Sequence, residues 1–243
     1  MDEYLAATKA TELYQKGYCT LESVHTEAET AVQESLLNNE WRRRGSPELM
    51  GFGLGIHPLV QHVPEIARFF DCPEVNEVLK VAFRDFPRLC HTGARIANED
   101  SSANIGWHHH YGWDVEHITG RQNIERVVVN FYVKGASPKI GSLWAIPRTC
   151  DAPIPQAHDD PCQDWPGQVP LSVPPGSAVI LDTALYHTAT RGNSPGMRYH
   201  WGGHYQAWSD SRVHGEDMDM TLLQENKDLL SDRQGLRELL VRP

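Results

Sequence analysis

Apolar residues recur at helical spacing in the first third of the chain and at strand spacing in the rest. "LESVHTEAETAVQESLL" (residues 21–37) and "PEVNEVLKVAFRDF" (residues 73–86) carry the 3.6-residue period, the second opening on Pro73 as a helix start. Between them, "RRRGSPELMGFGLGIHPLVQHV" (residues 42–63) is glycine-rich and reads as a loop able to cover a pocket mouth. From about residue 88 the texture changes to short alternating or wholly apolar stretches: "CHTGARIAN", "ERVVVNFYV", "GSLWAIPRT", "SAVILDTALYHT" and "MRYHWGGHYQAW". Gly, Pro, Asn and Asp separate them, which predicts a β-sandwich or barrel. "TCDAPIPQAHDDPCQDWPGQVPLSVPPG" (residues 149–176) reads as one long Pro/Asp-rich loop, and "MTLLQENKDLLSDRQGLRELL" (residues 220–240) as a closing helical stretch. The pattern predicts one domain over residues 1–243: a mainly helical part (1–87), an all-β core (88–208) and a C-terminal helical segment (209–243).

Charge and composition narrow the function. The 22 basic and 32 acidic residues give a net charge of -10, so neither nucleic acid nor an anionic membrane is an expected partner. No apolar run reaches the length of a membrane span, and "MDEYLAATKATELY" is acidic and polar where a signal peptide is basic and then apolar. These features predict a cytoplasmic protein. Five cysteines with no C-x-x-C pair argue for reduced thiols, not a disulfide scaffold or a zinc knuckle. The apolar face of residues 221–240 has two candidate partners, the barrel or a second chain in a homodimer.

The chemistry concentrates in histidines. In "NIGWHHHYGWDVEH" (residues 104–117), strand alternation sends His108 and His110 to one side and His109 to the other, so two imidazoles can chelate one ion. The same run can also be solvated loop decoration. In "PPGSAVILDTALYHTATRGNSPGMRYHWGGHYQ" (residues 174–206), a Pro-Gly turn launches an apolar strand, His187 stands near its end, and Arg198 opens the next strand. An arginine near a metal offers a planar fork for a carboxylate. Arg198, His200, Gly202 and His204 share one face of that strand.

In that order, Trp107-His108, then Gly141, Leu143, Ile146 and Pro147, then Pro175, Gly176, His187 and Arg198 resemble the phytanoyl-CoA dioxygenase (PhyH) family. The resemblance covers roughly residues 88–206. It implies a double-stranded β-helix (jelly roll, cupin-like) and a non-haem Fe(II)/2-oxoglutarate-dependent dioxygenase that oxidises a small organic molecule with O2, as in natural-product biosynthesis. It also implies His108 and His187 as iron ligands and Arg198 as the anchor of 2-oxoglutarate. His110 stands where the family has its carboxylate ligand, so the metal set becomes His108, His110 and His187. Two other registers stay open: an H-x-G reading of His110 and Gly112, and Asp114 as a swung-in carboxylate. Asn98 and Asn130 are candidates to bind the cosubstrate beside Arg198. Arg95, Trp113 and Trp144 are candidates to meet the substrate. Two rival functions accompany the first: a three-histidine dioxygenase that needs no 2-oxoglutarate, and a degenerate binding or partner subunit.

Overall fold

A computed structural model of the chain describes residues 2–101, 105–110, 123–155, 160, 162–192, 194–213, 217–218, 220 and 234–241. Helix α1 (Glu3–Lys16) is capped by the Asp2 side chain and closed by Gly17 in the left-handed region. Strand β1 (Tyr18–Leu21) follows, then α2 (Glu27–Arg43). The periodic stretch from Leu21 therefore does not begin as helix. Thr26 and Glu29 form a reciprocal capping box, which starts α2 after Leu21 has already ended a strand. The glycine-rich segment holds strand β2 (Leu54–Ile56). The single turn α3 (Leu59–His62), a 3-10 turn (Pro64–Phe70) and α4 (Pro73–Phe83) come next.

The β core comprises β3 (Pro87–Ala97), β4 (Ile105–His108), β5 (Arg126–Tyr132), β6 (Gly141–Ala145), β7 (Val169–Leu171), β8 (Ser177–Asp182), β9 (His187–Arg191) and β10 (Arg198–Ala207). All pairings are antiparallel, in a six-stranded sheet ordered β1-β8-β5-β10-β3-β2 and a four-stranded sheet ordered β4-β9-β6-β7. Eight of these strands make a jelly roll, and β1 and β2 extend the large sheet at its two edges. Two expectations about loops change. The long Pro/Asp-rich segment contains β7, and the stretch "SAVILDTALYHT" is not one strand. Asp182 ends β8 by accepting the Leu185 amide on its carbonyl and the Ala184 amide on its carboxylate. That turn carries the chain to the small sheet, where His187 opens β9 instead of ending β8.

Both faces of the large sheet are covered, which is why its central strands read as continuous apolar runs. Outward residues of β5, β8 and β10, among them Val127, Val129, Phe131, Ile180, Tyr199, Trp201 and Tyr205, pack with Leu13, Leu37 and Phe70 of the helical layer. Inward residues Val128, Tyr132, Val179 and Leu181 meet Leu143, Ala145 and Leu171 of the small sheet. The sheets thus close on apolar contacts at one end and leave a hollow at the other. The last described turn, α5 (Gln234–Leu240), buries Leu236, Leu239 and Leu240 against this same core, so that part of the apolar C-terminal face is satisfied within the chain. Among the described residues, no helix is long and apolar enough to cross a membrane.

The Pro-Gly turn before β8 ties the helical layer to the barrel. Gly176 donates its amide to the Tyr132 carbonyl at 2.9 Å and accepts the His25 amide at 3.0 Å. Its φ is +74°, and a Cβ there would stand 2.2 Å from the His25 carbonyl oxygen. Gly176→Ala should therefore destabilise the fold by about 2–3 kcal/mol. The expected result is a lower urea midpoint with an unchanged transition slope.

Candidate metal centre

Cross-strand pairs on the inward face of the large sheet stack in rows. Ala97 lies beside Arg198, Arg95 beside His200 and Tyr132, Gly93 beside Gly202 and Asn130, and His91 beside His204 and Val128. With the small sheet opposite, these rows bound a cavity of about 510 Å³. Seven of the described histidines line it: 57, 91, 108, 110, 187, 200 and 204.

Three of them converge. His108 and His187 are direct partners in the β4–β9 pairing, with ring centroids 4.3 Å apart. The His110 ring lies 5.0 Å from each. Potential ligand atoms of all three fall within 4.8 Å of one another, close enough for a single ion to meet the set. Strand alternation is not what aims His110 inward, because β4 ends at His108. Instead the His110 amide donates to the Thr183 carbonyl at 2.8 Å, which pins the chain just past the strand end. His109 points the other way and meets Tyr186 at 5.3 Å. Trp107 and Trp165 form an aromatic layer with the same tyrosine on the outer face.

Tautomers sharpen this geometry. His108 Nδ1 lies 2.8 Å from the Gly106 carbonyl and His187 Nδ1 lies 2.9 Å from the Leu185 carbonyl. A carbonyl only accepts, so each Nδ1 carries the proton and each Nε2 keeps its lone pair for a ligand. Burial, then the neighbouring His108 and His110, holds the His187 pKa well below the ordinary imidazole value, and the ring stays neutral. Neutral imidazoles with fixed tautomers suit a divalent transition metal. His204, whose ring centre is 5.1 Å from that of His110, has the opposite arrangement. Its Nδ1 faces Arg126 Nη2 at 3.2 Å; a guanidinium only donates, so the proton of His204 sits on Nε2. Arg126 is fully buried, donates also to Gln206 at 2.8 Å, and pairs with Asp217 at 2.5 Å.

The other predicted site residues divide. Arg198, Asn130 and Arg95 line the cavity. Arg198 donates to the carbonyls of Ile140, at 3.1 Å, and of Asn98. Asn98 contributes its carbonyl only; its side chain closes a local turn by accepting the amides of Asp100 and Ser101. Trp144 donates its indole N–H to Thr190 and lies on the face of β6 opposite Leu143, which borders the cavity. Trp113 and Asp114 lie outside the described residues. The sequence reading did not single out His57 or Asp217. His57 sits in the segment read as a mouth-covering loop, and Asp217 follows the barrel strands at a distance that no spacing rule connects to it.

No family model and no curated protein matches this chain. Solved structures do. HygX from Streptomyces hygroscopicus, with nickel and 2-oxoglutarate bound, superimposes with a TM-score of 0.69 at 16% identity, covering 83% of this chain and 87% of that one. The non-haem α-ketoglutarate-dependent epimerase SnoN from nogalamycin biosynthesis gives 0.66 at 14%, covering 89% and 94%. EctD from S. alaskensis, with 2-oxoglutarate and 5-hydroxyectoine, gives 0.66 at 18%, covering 87% and 79%. At these identities the likeness is one of fold, and it agrees with the jelly-roll topology.

Two histidines, His200 at the cavity and His25 under the helical layer, make the fold acid-sensitive. His200 is pushed down to about 3 by burial first, then by Arg95, His57 and Arg198, and burial also lowers His25. Below an unfolded value near 6.5 the unfolded chain binds protons that these folded rings refuse, so stability is full above that pH and falls as pH drops toward 3. Melting temperature should decline between pH 7 and pH 5. His200→Asn should flatten the decline by on the order of 1 kcal/mol, after discounting for the ring's contact with the cavity. An unchanged slope in the variant would contradict this assignment.

Proposed function

We propose that this chain is a non-haem iron oxygenase of the phytanoyl-CoA dioxygenase type that uses 2-oxoglutarate to oxidise a small organic molecule. The observation that carries the reading is the convergence of three imidazoles in one cavity with Arg198 on the facing wall. His108, His110 and His187 would hold Fe(II), the first and last through Nε2. Arg198, its head steadied by the Ile140 and Asn98 carbonyls, would pair with the distal carboxylate of 2-oxoglutarate. Asn130 offers a side-chain amide on the same wall in the Gly202 row, two rows from Arg198, and Arg95 is the substrate contact. Fe(II) held there would supply, together with 2-oxoglutarate and O2, the oxidising power for a substrate C–H bond, with succinate and carbon dioxide as co-products. The chain's own work is to present unprotonated nitrogens, orient the oxo acid along the cavity and keep the far end dry with the apolar inter-sheet cluster. Two of the similar folds are SnoN, an α-ketoglutarate-dependent epimerase from nogalamycin biosynthesis, and EctD, seen with 2-oxoglutarate and 5-hydroxyectoine, which favours a small natural product as substrate.

One observation favours a second reading. With His110 as third ligand, the protein gives the cation no negative charge, as in three-histidine dioxygenases that act on substrate and oxygen alone; Arg198 would then grip an acid group of the substrate. Release of succinate and carbon dioxide on adding Fe(II) and 2-oxoglutarate supports the first reading. Oxygen uptake that needs substrate but not 2-oxoglutarate supports the second.

Two substitutions test the assignment of residues. His110→Asp should keep or strengthen Fe(II) binding, because a carboxylate adds charge complementarity, whereas His110→Ala should weaken it about tenfold or more. Loss of metal from the Asp variant but not the Ala variant would remove His110 from the site. Arg198→Ala should raise the Kd for 2-oxoglutarate about 100-fold and change the Kd for iron less than about threefold. Parallel losses of both ligands in calorimetry would indicate a folding defect.

A further inference from the structure

We propose that Arg95, with His200 beside it in the same cross-strand row and His57 over the adjoining Gly93 row, forms a second anion subsite that binds a carboxylate of the substrate, so that the substrate is a small organic acid. This rests on Arg198 serving 2-oxoglutarate. Arg95 lies on the inward face of β3 in the row it shares with His200. Its Nη1 donates to the Phe52 carbonyl at 2.9 Å and its guanidinium stands 5.8 Å from the Phe52 ring. Among the described residues no carboxylate pairs with it. Burial alone pushes its pKa down, with no acidic neighbour opposing the effect. A guanidinium has five N–H donors, and a partly desolvated one without a counter-ion is costly until an anion arrives.

Among the described lining residues no carboxylate is left for it. Asp217 is the carboxylate among the described lining residues, and Arg126 holds it at 2.5 Å. Two guanidinium groups, Arg95 and Arg198, therefore face the cavity in a protein whose overall charge is -10. Their heads are drawn to different walls. That of Arg198 crosses to the small sheet, where it bonds Ile140 and where a Cβ on Gly141 would stand 2.6 Å from Nη1. That of Arg95 stays against Phe52 in the segment leading into β2.

The imidazoles complete the subsite and link it to the metal ligands. The His57 ring lies over Gly93, whose missing Cβ would be 2.4 Å from it, and is 5.5 Å from the His91 ring. His91 is 4.8 Å from His204, which is 5.1 Å from His110. Gly93 and Gly202 pair across the strands between the His91 row and the Arg95 row, and the His57 ring occupies the place that a Gly93 side chain would take. An acid anchored at Arg95 would extend its carbon skeleton past the His57 ring toward the triad. The His200 imidazole, held neutral by burial in the row it shares with Arg95, offers an N–H to the same anion.

The test uses the full chain loaded with Ni(II) and saturated with 2-oxoglutarate, which occupies Arg198 without turnover. Butyrate, phenylacetate and indole-3-acetate are titrated calorimetrically against their amides. At least one acid should bind about tenfold or more tightly than its amide. Arg95→Gln should abolish that preference, Arg95→Lys should keep part of it, and both should keep the wild-type Kd for 2-oxoglutarate within about threefold. Equal binding of acids and amides, no binding of any acid, or an acid preference that survives Arg95→Gln would overturn the proposal. So would loss of 2-oxoglutarate from Arg95→Gln as severe as that from Arg198→Ala, because both arginines would then serve one anchor. If the wild type fails to bind 2-oxoglutarate yet keeps an Arg95-dependent preference for acids, the subsite stands and the reading of Arg198 falls.

Discussion

Two hydrogen bonds govern how the cavity is read: Nδ1 of His108 to the Gly106 carbonyl and Nδ1 of His187 to the Leu185 carbonyl. Each ties a ring to the backbone two residues behind it, so the strand that places the residue also sets its tautomer. The β4–β9 pairing then brings the two rings together as cross-strand partners. His110 joins them through a different constraint, the bond from its amide to Thr183 in the turn between β8 and β9. One crossover between the sheets therefore delivers His187 and pins His110. A slip of one residue in either strand would send its imidazole to the outer face, where His109 and Trp107 already lie.

How much of this was legible in the sequence depends on the physical range of each signal. Local periodicity and turn residues showed the helical first part, the β core and the Pro-Gly turn before β8, because each is decided within a few residues. The boundary errors arose where a local pattern met a tertiary demand. Leu21 has helical spacing to its successors but pairs with Ala178 as a strand, and Asp182 breaks an apolar run that carries no glycine or proline to announce the turn. Among site residues, the spacing of 108, 110, 187 and 198 was visible because short motifs hold those positions. His57, His91 and His204 meet through pairings of β3 with β10 and the approach of the mouth segment, contacts that cross more than a hundred positions between 91 and 204. Trp144 shows the opposite failure. It lies on a cavity-bordering strand, but alternation there puts Leu143 inward and the indole outward.

The charges in the cavity fit one pattern. Three neutral imidazoles would leave a divalent cation its full charge, two guanidinium groups add to the wall, and the described lining carboxylate is committed to Arg126. Arg126 in turn fixes His204 with its proton on Nε2, so the histidine nearest the triad faces the cavity as a donor and not as a fourth ligand. Among the described lining residues, positive charge and N–H donors surround the hollow and one carboxylate stands among them.

Such a hollow is expensive to leave filled only with water, because a partly buried guanidinium such as that of Arg95 is poorly solvated until an anion meets it. Anionic ligands that enter it neutralise charges the fold already carries, and their binding free energy adds directly to the stability of the folded state. This makes the replacement of a ligand carboxylate by His110 less anomalous than it looks from the motif alone. In the proposed enzyme the missing negative charge is restored by the acids it binds, 2-oxoglutarate at Arg198 and the substrate at Arg95, so that the metal site approaches charge balance only when both are in place.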